Sequence, residues 1–268
     1  MSELRNAGRL CGALLWRVVR DQRQRLLLAP LGYGILALTV MLLPVYLPGG
    51  PQTAGRLREG LGILIGPLPD HPLAVALALV VVQGPYLVGV LASVAGAVLS
   101  QATVTSETAR GGLELLLSAP YRPREVFAAF LVSSFLLVVF SWAVLTAVAI
   151  GLPLLMLAWL GAPRIPSFYV GIALFVPLPM ALWADLIASA VTLAFPSLGL
   201  LRVGTGSTLG SSLAIAPAMG ALLFVTIRPE VHPAKMGGVA LLLGLGAVGL
   251  GLVLFSRVFR VGALLEGL

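Results

Sequence analysis

Leu73–Ser100 reads LAVALALVVVQGPYLVGVLASVAGAVLS, a run without a single charged side chain. A helix needs about 20 predominantly apolar residues to cross the hydrocarbon core of a bilayer, and this run exceeds that. Backbone N–H and C=O groups have no water to bond in hydrocarbon, so such a segment satisfies them internally as a helix. Five further runs lie between charged or turn-rich breaks: Leu26–Leu47, Val126–Leu160, Phe168–Phe195, Val203–Ile227 and Met236–Phe255. The pattern predicts an all-α integral membrane protein with six transmembrane helices. Several runs exceed the minimum length, so tilt or extension beyond the bilayer is expected. Pro44, Pro153, Pro177, Pro179 and Pro217 lie inside or near span ends, where each removes a backbone donor and predicts a kink.

Composition agrees with the runs. Of 268 residues, 59% are hydrophobic and 10% charged, with a mean hydropathy of +1.05. A soluble domain carries about 25% charged residues. The net charge of +7 comes from arginines spread among the segments that flank the spans, which fits topology and lipid headgroups rather than nucleic acid. With the N-terminus inside, twelve basic residues fall on inner segments (Arg5, Arg9, Arg17, Arg20, Arg23, Arg25, Arg110, Arg122, Arg124, Arg202, Arg257 and Arg260). Five fall outside: Arg56, Arg58, Arg164, Arg228 and Lys235. That bias puts both termini in the cytoplasm of a multi-pass protein of the cell inner (plasma) membrane. The first 25 residues have no apolar core of the signal-peptide kind. The single cysteine, Cys11, excludes an internal disulfide framework.

Residues 1–25 form the first unit. Leu4, Ala7, Cys11, Leu14, Leu15, Val18 and Val19 recur at helical spacing, with Arg5, Arg9, Arg20 and Arg23 elsewhere on the wheel. This predicts an amphipathic interfacial helix lying along the cytoplasmic face, its arginines near anionic headgroups. Residues 26–260 form the transmembrane domain and 261–268 a cytoplasmic tail. The outer loop of residues 48–72 is rich in Gly and Pro, and its middle, Leu57–Ile65, is expected to form a short interfacial helix.

The connection between spans two and three reads SETARGGLELLLSAPYRPREV over Ser106–Val126. Glu107 and Arg110 are three apart and Arg110 and Glu114 four apart, a spacing that pairs them along one helix face. Leu113, Leu116 and Leu117 fall on another side, Pro120 and Pro123 end the helix, and Arg122 and Arg124 anchor the return into the membrane. A helix over about residues 106–120 with a charged and an apolar face suits docking into a groove on a cytoplasmic partner.

This run resembles the coupling-helix region of ABC-2 type transporter permeases, in which a Glu, an Arg-Gly-Thr-Leu-Glu-like core, a Leu pair and a small-residue-Pro turn precede an Arg-rich re-entry. The chain departs from that pattern at Gly112, where Thr is common, and at Ala128 and Ala129, where a Gly-Lys pair often follows. The resemblance implies a permease that dimerises, as homodimer or heterodimer, and pairs with a separate cytoplasmic ATPase carrying the ATP and Mg. Glu107, Arg110, Gly111, Gly112, Leu113, Glu114, Leu117 and Pro120 would then form the ATPase-coupling site. The chain itself has no G-x-x-x-x-G-K-[ST] loop, and its one lysine, Lys235, falls on the outer side, so it is not an enzyme alone and binds no cofactor of its own.

Asp185 is the one acidic residue deep within a span, about 15 Å from its inner end at helical rise. Ser207, Thr208, Ser211 and Ser212 at the start of span five are expected to surround it with hydroxyls as an intramembrane polar cluster. An ion-coupled carrier centred on Asp185 is the rival reading from another class; a haem-exporter-like permease and a structural scaffold are the others. Small residues recur at four-residue spacing in Gly89-Ser93-Ala97, Ala92-Gly96-Ser100, Gly206-Gly210 and Ala247-Gly251, which permits close helix approach. His71 with Asp70, and His232 with Glu230, read as solvated loop residues rather than a metal site.

Overall fold

A computed structural model describes residues 2–46, 68–69, 71–118, 123–161, 167–194, 208–227 and 233–258. The described residues are helical throughout, apart from short turns. In chain order the elements are α1 (Ser2–Tyr46), α2 (Pro72–Ala109), α3 (Gly112–Ser118), α4 (Pro123–Thr146), a π turn (Ala147–Gly151), α5 (Leu152–Trp159), α6 (Ser167–Phe175), α7 (Pro177–Ala194), α8 (Thr208–Ile227) and α9 (Pro233–Val258). Pro72, Pro123, Pro177 and Pro233 each open a helix, where a missing N–H leaves no bond unmade and the fixed φ already suits the helix.

Four stretches are long and apolar enough to cross a membrane: Leu73–Glu107, Ala128–Trp159, Phe168–Thr192 and Lys235–Val253. The fold is that of a multi-pass helical membrane protein, and its outward surface agrees. Leu27, Leu28, Leu36, Leu155, Trp159, Leu242 and Leu245 stand exposed in a coat that water would not tolerate over so wide an area. The other two expected spans correspond to shorter apolar helices, Leu26–Thr39 within α1 and Ser212–Val225 within α8. The first five residues of the expected fifth span, 203–207, fall outside the described residues, as do the outer loop over residues 47–67 and the C-terminal tail.

α2 is the axis of the bundle. Its span is 67% buried, against 28% for α9 at the periphery. The main core gathers Leu77, Val81, Val88 and Ala92 of α2 with Val138 and Leu145 of α4, Ala149 and Ile150 of the π turn, Leu157 of α5, Tyr169 and Ala173 of α6, and Ala181 of α7. Both small-residue stripes of α2 are used inside the chain. A Cβ on Gly96 would lie 3.3 Å from the Ala181 carbonyl oxygen and from Val138, so α2 and α7 approach closely only because that position is glycine. A second cluster of Met180, Ala218, Ala221 and Ala240 joins α7, α8 and α9.

The expected kinks take specific forms. Pro153 cannot donate to the carbonyl four residues back, and the helix widens into the π turn just before it, with Leu152 N–H bonding the Ala147 carbonyl. Span four is divided at Val176, immediately ahead of Pro177. Pro217 and Pro85 are instead accommodated inside α8 and α2.

α1 differs from the sequence expectation. The interfacial helix and the first span are one unbroken helix of 45 residues, about 67 Å at helical rise. Part of its apolar stripe packs on protein. Leu10, Cys11 and Leu14 are buried against Val126, Ala129 and Phe130 of α4, and Val18 and Leu26 against Leu99 of α2 and Leu137 of α4. α1 thus runs alongside α4 from its basic half to Gly34, where Val148 packs in turn. Periodicity reveals an apolar face but not whether lipid or protein covers it.

Candidate functional site

α2 does not stop at the edge of its apolar run. It continues through Gln101, Thr103, Thr105 and Ser106 to Ala109, carrying polar side chains alongside the basic half of α1. Thr103, Thr105 and Ser106 return their hydroxyls to the carbonyls of Leu99, Gln101 and Thr103. The helix ends because Gly111 takes φ +68°, a left-handed conformation that L side chains adopt only at a cost. After this turn α3 begins, its first bond running from Leu115 N–H to the Gly111 carbonyl.

The expected coupling helix over residues 106–120 is therefore two pieces. Glu107 belongs to the last turn of α2, Arg110 and Gly111 form the corner, and Gly112 opens the seven-residue α3. Among the described residues the charges pair across helices. Arg17 Nη1 of α1 donates to both carboxylate oxygens of Glu107, at 2.9 and 3.2 Å, and Arg110 Nη1 donates to Asp21 Oδ2 of α1 at 2.8 Å. Arg17 and Asp21 are four apart on α1, and Glu107 and Arg110 three apart at the end of α2 and its corner, so two oppositely directed ion pairs rivet the one to the other. The pairs differ in setting. The Glu107 side chain is 1% exposed while that of Arg17 is 55% exposed; Arg110 and Asp21 are both in solvent contact. The Asp21 hydrogen bond, with its charge, raises the Arg110 guanidinium above its ordinary value.

Gly112 sits against this clamp. A Cβ there would collide with a Glu107 carboxylate oxygen and lie 3.2 Å from the Glu107 carbonyl oxygen, which gives a physical reason for glycine at this position. Leu116 of α3 packs on the cluster of Leu10, Cys11, Leu14, Val126, Ala129 and Phe130, while Leu115 is exposed. Burial in that cluster pushes the Cys11 thiol up. The side chains of Leu113, Glu114 and Leu117, and all of Pro120, lie outside the described residues.

Asp185 of α7 is 2% exposed and accepts a hydrogen bond from Ser100 of α2, with the Ser134 hydroxyl of α4 beside it. These hydroxyls come from spans two and three. Of the four expected from span five, Ser212 is exposed, Ser207 lies outside the described residues, and so do the side chains of Thr208 and Ser211. α7 meets α8 instead through Trp183, whose Nε1 donates to the Leu213 carbonyl at 2.9 Å. Ser100 faces two acceptors with one proton, because its Oγ also lies 2.8 Å from the Gly96 carbonyl oxygen. Leu99, the neighbour of Ser100, belongs to a buried cluster with Val18 and Leu26 of α1 and Leu137 of α4.

His71 caps the start of α2, where its Nδ1 accepts from Leu73 N–H at 3.2 Å. The cross-helix clamp is the feature that sequence reasoning missed. Its signal was present as a basic-then-acidic pair at i, i+4 in α1 and an acidic-then-basic pair at i, i+3 in α2, two complementary patterns on elements 90 residues apart. Comparison of the chain with family models, curated proteins and solved structures returns no match.

Proposed function

We propose that the chain is the permease subunit of an ABC-2 type exporter. It spans the membrane six times with both termini cytoplasmic, works as a dimer, and takes its energy from a separate ATPase that holds the ATP and Mg. The observation that carries this reading is the way the Glu107–Gly112 corner is clamped to α1 through Arg17 and Asp21. A push from a cytoplasmic partner on α3 would not be absorbed locally. It would travel into α2, the most buried span, and at the same time into the full length of α1 and into α4 through Leu116. Resemblance of the ETARGGLELLLSAP run to a coupling helix supports the same reading, as does the lack of a phosphate-binding loop in the chain itself.

The test is co-purification of the chain with the ATP-binding cassette protein encoded next to it. Wild-type protein is expected to retain the ATPase, and Glu114→Lys, within α3, to lose it while remaining folded. Retention by that variant, or transport driven by a proton gradient with the chain alone, overturns the reading in favour of a carrier centred on Asp185.

A further inference from the structure

Pro85 lies within α2 and Pro217 within α8. Neither has an N–H, so the carbonyls four residues back, those of Val81 and Leu213, lose their helical partner. A carbonyl left bare in a bundle or in hydrocarbon is costly, because no water reaches it. Both carbonyls are supplied from outside their own helix. The Tyr169 hydroxyl of α6 donates to the Val81 carbonyl, and Trp183 Nε1 of α7 donates to the Leu213 carbonyl at 2.9 Å.

The match is positional. Along a helix most main-chain oxygens are taken by an amide four residues on, and each aromatic donor reaches the one that a proline has released. Both side chains are buried, Tyr169 within the main core and Trp183 against Gly251 of α9, so their rings are held in place. Both also belong to one span. α6 and α7 are the two halves of span four, divided at Val176, and the donors stand about 21 Å apart along it at helical rise. The gap at Pro153 is handled differently, by a π turn within its own helix.

A proline inside a helix is a place where the helix bends, and the bend is free to grow once the released carbonyl has no partner to lose. We propose that Pro85 and Pro217 are hinges in α2 and α8, and that span four is the clasp on both, through Tyr169 on the first and Trp183 on the second. While a donor stays in place, further bending at its proline breaks a buried hydrogen bond. When α6 or α7 shifts, the hinge beside it is released. The two hinged helices thus change shape only together with span four. The inference stands apart from the exporter reading, since it concerns bonds within one chain.

The experiment measures bending in the full chain, reconstituted in lipid nanodiscs with Cys11→Ala as background. Spin labels go on His71→Cys and Val98→Cys, exposed positions on either side of Pro85, and double electron–electron resonance reads the distances between them. Tyr169→Phe keeps the ring and removes the hydroxyl. It should raise the bent population, seen as a second, shorter distance, about fivefold to thirtyfold, the scale of one buried hydrogen bond in a two-state equilibrium. Pro85→Ala gives α2 back its own amide donor, so Tyr169→Phe should leave the distances unchanged in that background. The second hinge is read in the same way, with labels on Ser212→Cys and Ile227→Cys and with Trp183→Phe tested before and after Pro217→Ala; it carries the test if the first set of variants does not fold. Distances unmoved by loss of the donor, or moved as much after the proline is replaced as before, overturn the proposal.

Discussion

Removing Arg17 and removing the Glu107 charge break the same ion pair, yet the structure predicts very different consequences. Glu107 is 1% exposed and Arg17 55% exposed. In Arg17→Ala a carboxylate stays buried without its guanidinium, whereas in Glu107→Gln the freed guanidinium remains half in solvent and the amide keeps the shape. Losing one partner of a fully buried pair costs about 3–5 kcal/mol; the exposure of Arg17 reduces this by screening, to about 2–3 kcal/mol. A hydrogen bond lost to an already solvated group costs about 1 kcal/mol. At roughly 2–4 °C per kcal/mol for a chain of this size, Arg17→Ala should lower the melting temperature by about 4–12 °C and Glu107→Gln by about 2–4 °C. The double variant Arg17→Ala with Glu107→Gln should recover most of the Arg17→Ala loss, because no buried charge is left. Thermal unfolding of the four proteins in one detergent measures this. Equal losses for the two single variants, or a double variant whose loss is the sum of the two, would refute the claim that Glu107 is buried and held by Arg17.

Gly111→Ala forces a Cβ into the left-handed region at the end of α2 and should cost about 1–2 kcal/mol, seen as a lower melting temperature and as faster proteolysis at the α2–α3 corner. Asp21→Asn removes the exposed pair with Arg110 and should change stability little, with that small change vanishing in high salt; a large, salt-independent loss contradicts the exposure seen here. Asp185→Asn keeps hydrogen-bonding groups beside Ser100 and Ser134 and brings protons of its own, so the protein should assemble with near wild-type stability. Asp185→Leu leaves those hydroxyls facing an apolar side chain and should cost about 1–3 kcal/mol. Gly96→Val drives side-chain atoms into the Ala181 carbonyl and Val138, and should separate α2 from α7 with a loss of about 1–3 kcal/mol or more.

Much of the molecule was legible in its sequence, for local reasons. Leu73–Ser100 was helical and membrane-crossing on composition and length, since hydrocarbon leaves backbone groups no other partner. Pro153 and Pro177 announced the breaks in spans three and four, and Gly111-Gly112 lay within the segment that became the corner. Residues 2–25 were helical and amphipathic, as their spacing required. None of this depended on what stood opposite each face.

Tertiary structure decided the partners. Glu107 and Arg110 were expected to pair along one helix; the left-handed turn at Gly111 ends that helix, and the two side chains bond Arg17 and Asp21 on α1. Asp185 was expected to draw hydroxyls from the span next in sequence; among the described residues the hydroxyls beside it come from α2 and α4, and the close packing at Gly96 brings α2 against α7. Leu10, Cys11, Leu14 and Val18 of the N-terminal apolar stripe face α4 and α2, and the N-terminal helix and the first apolar run are one helix. Hydropathy and periodicity state how strongly a face avoids water. Which face covers it depends on shape, on where a glycine lets two backbones meet, and that is a property of pairs of helices that no single segment carries.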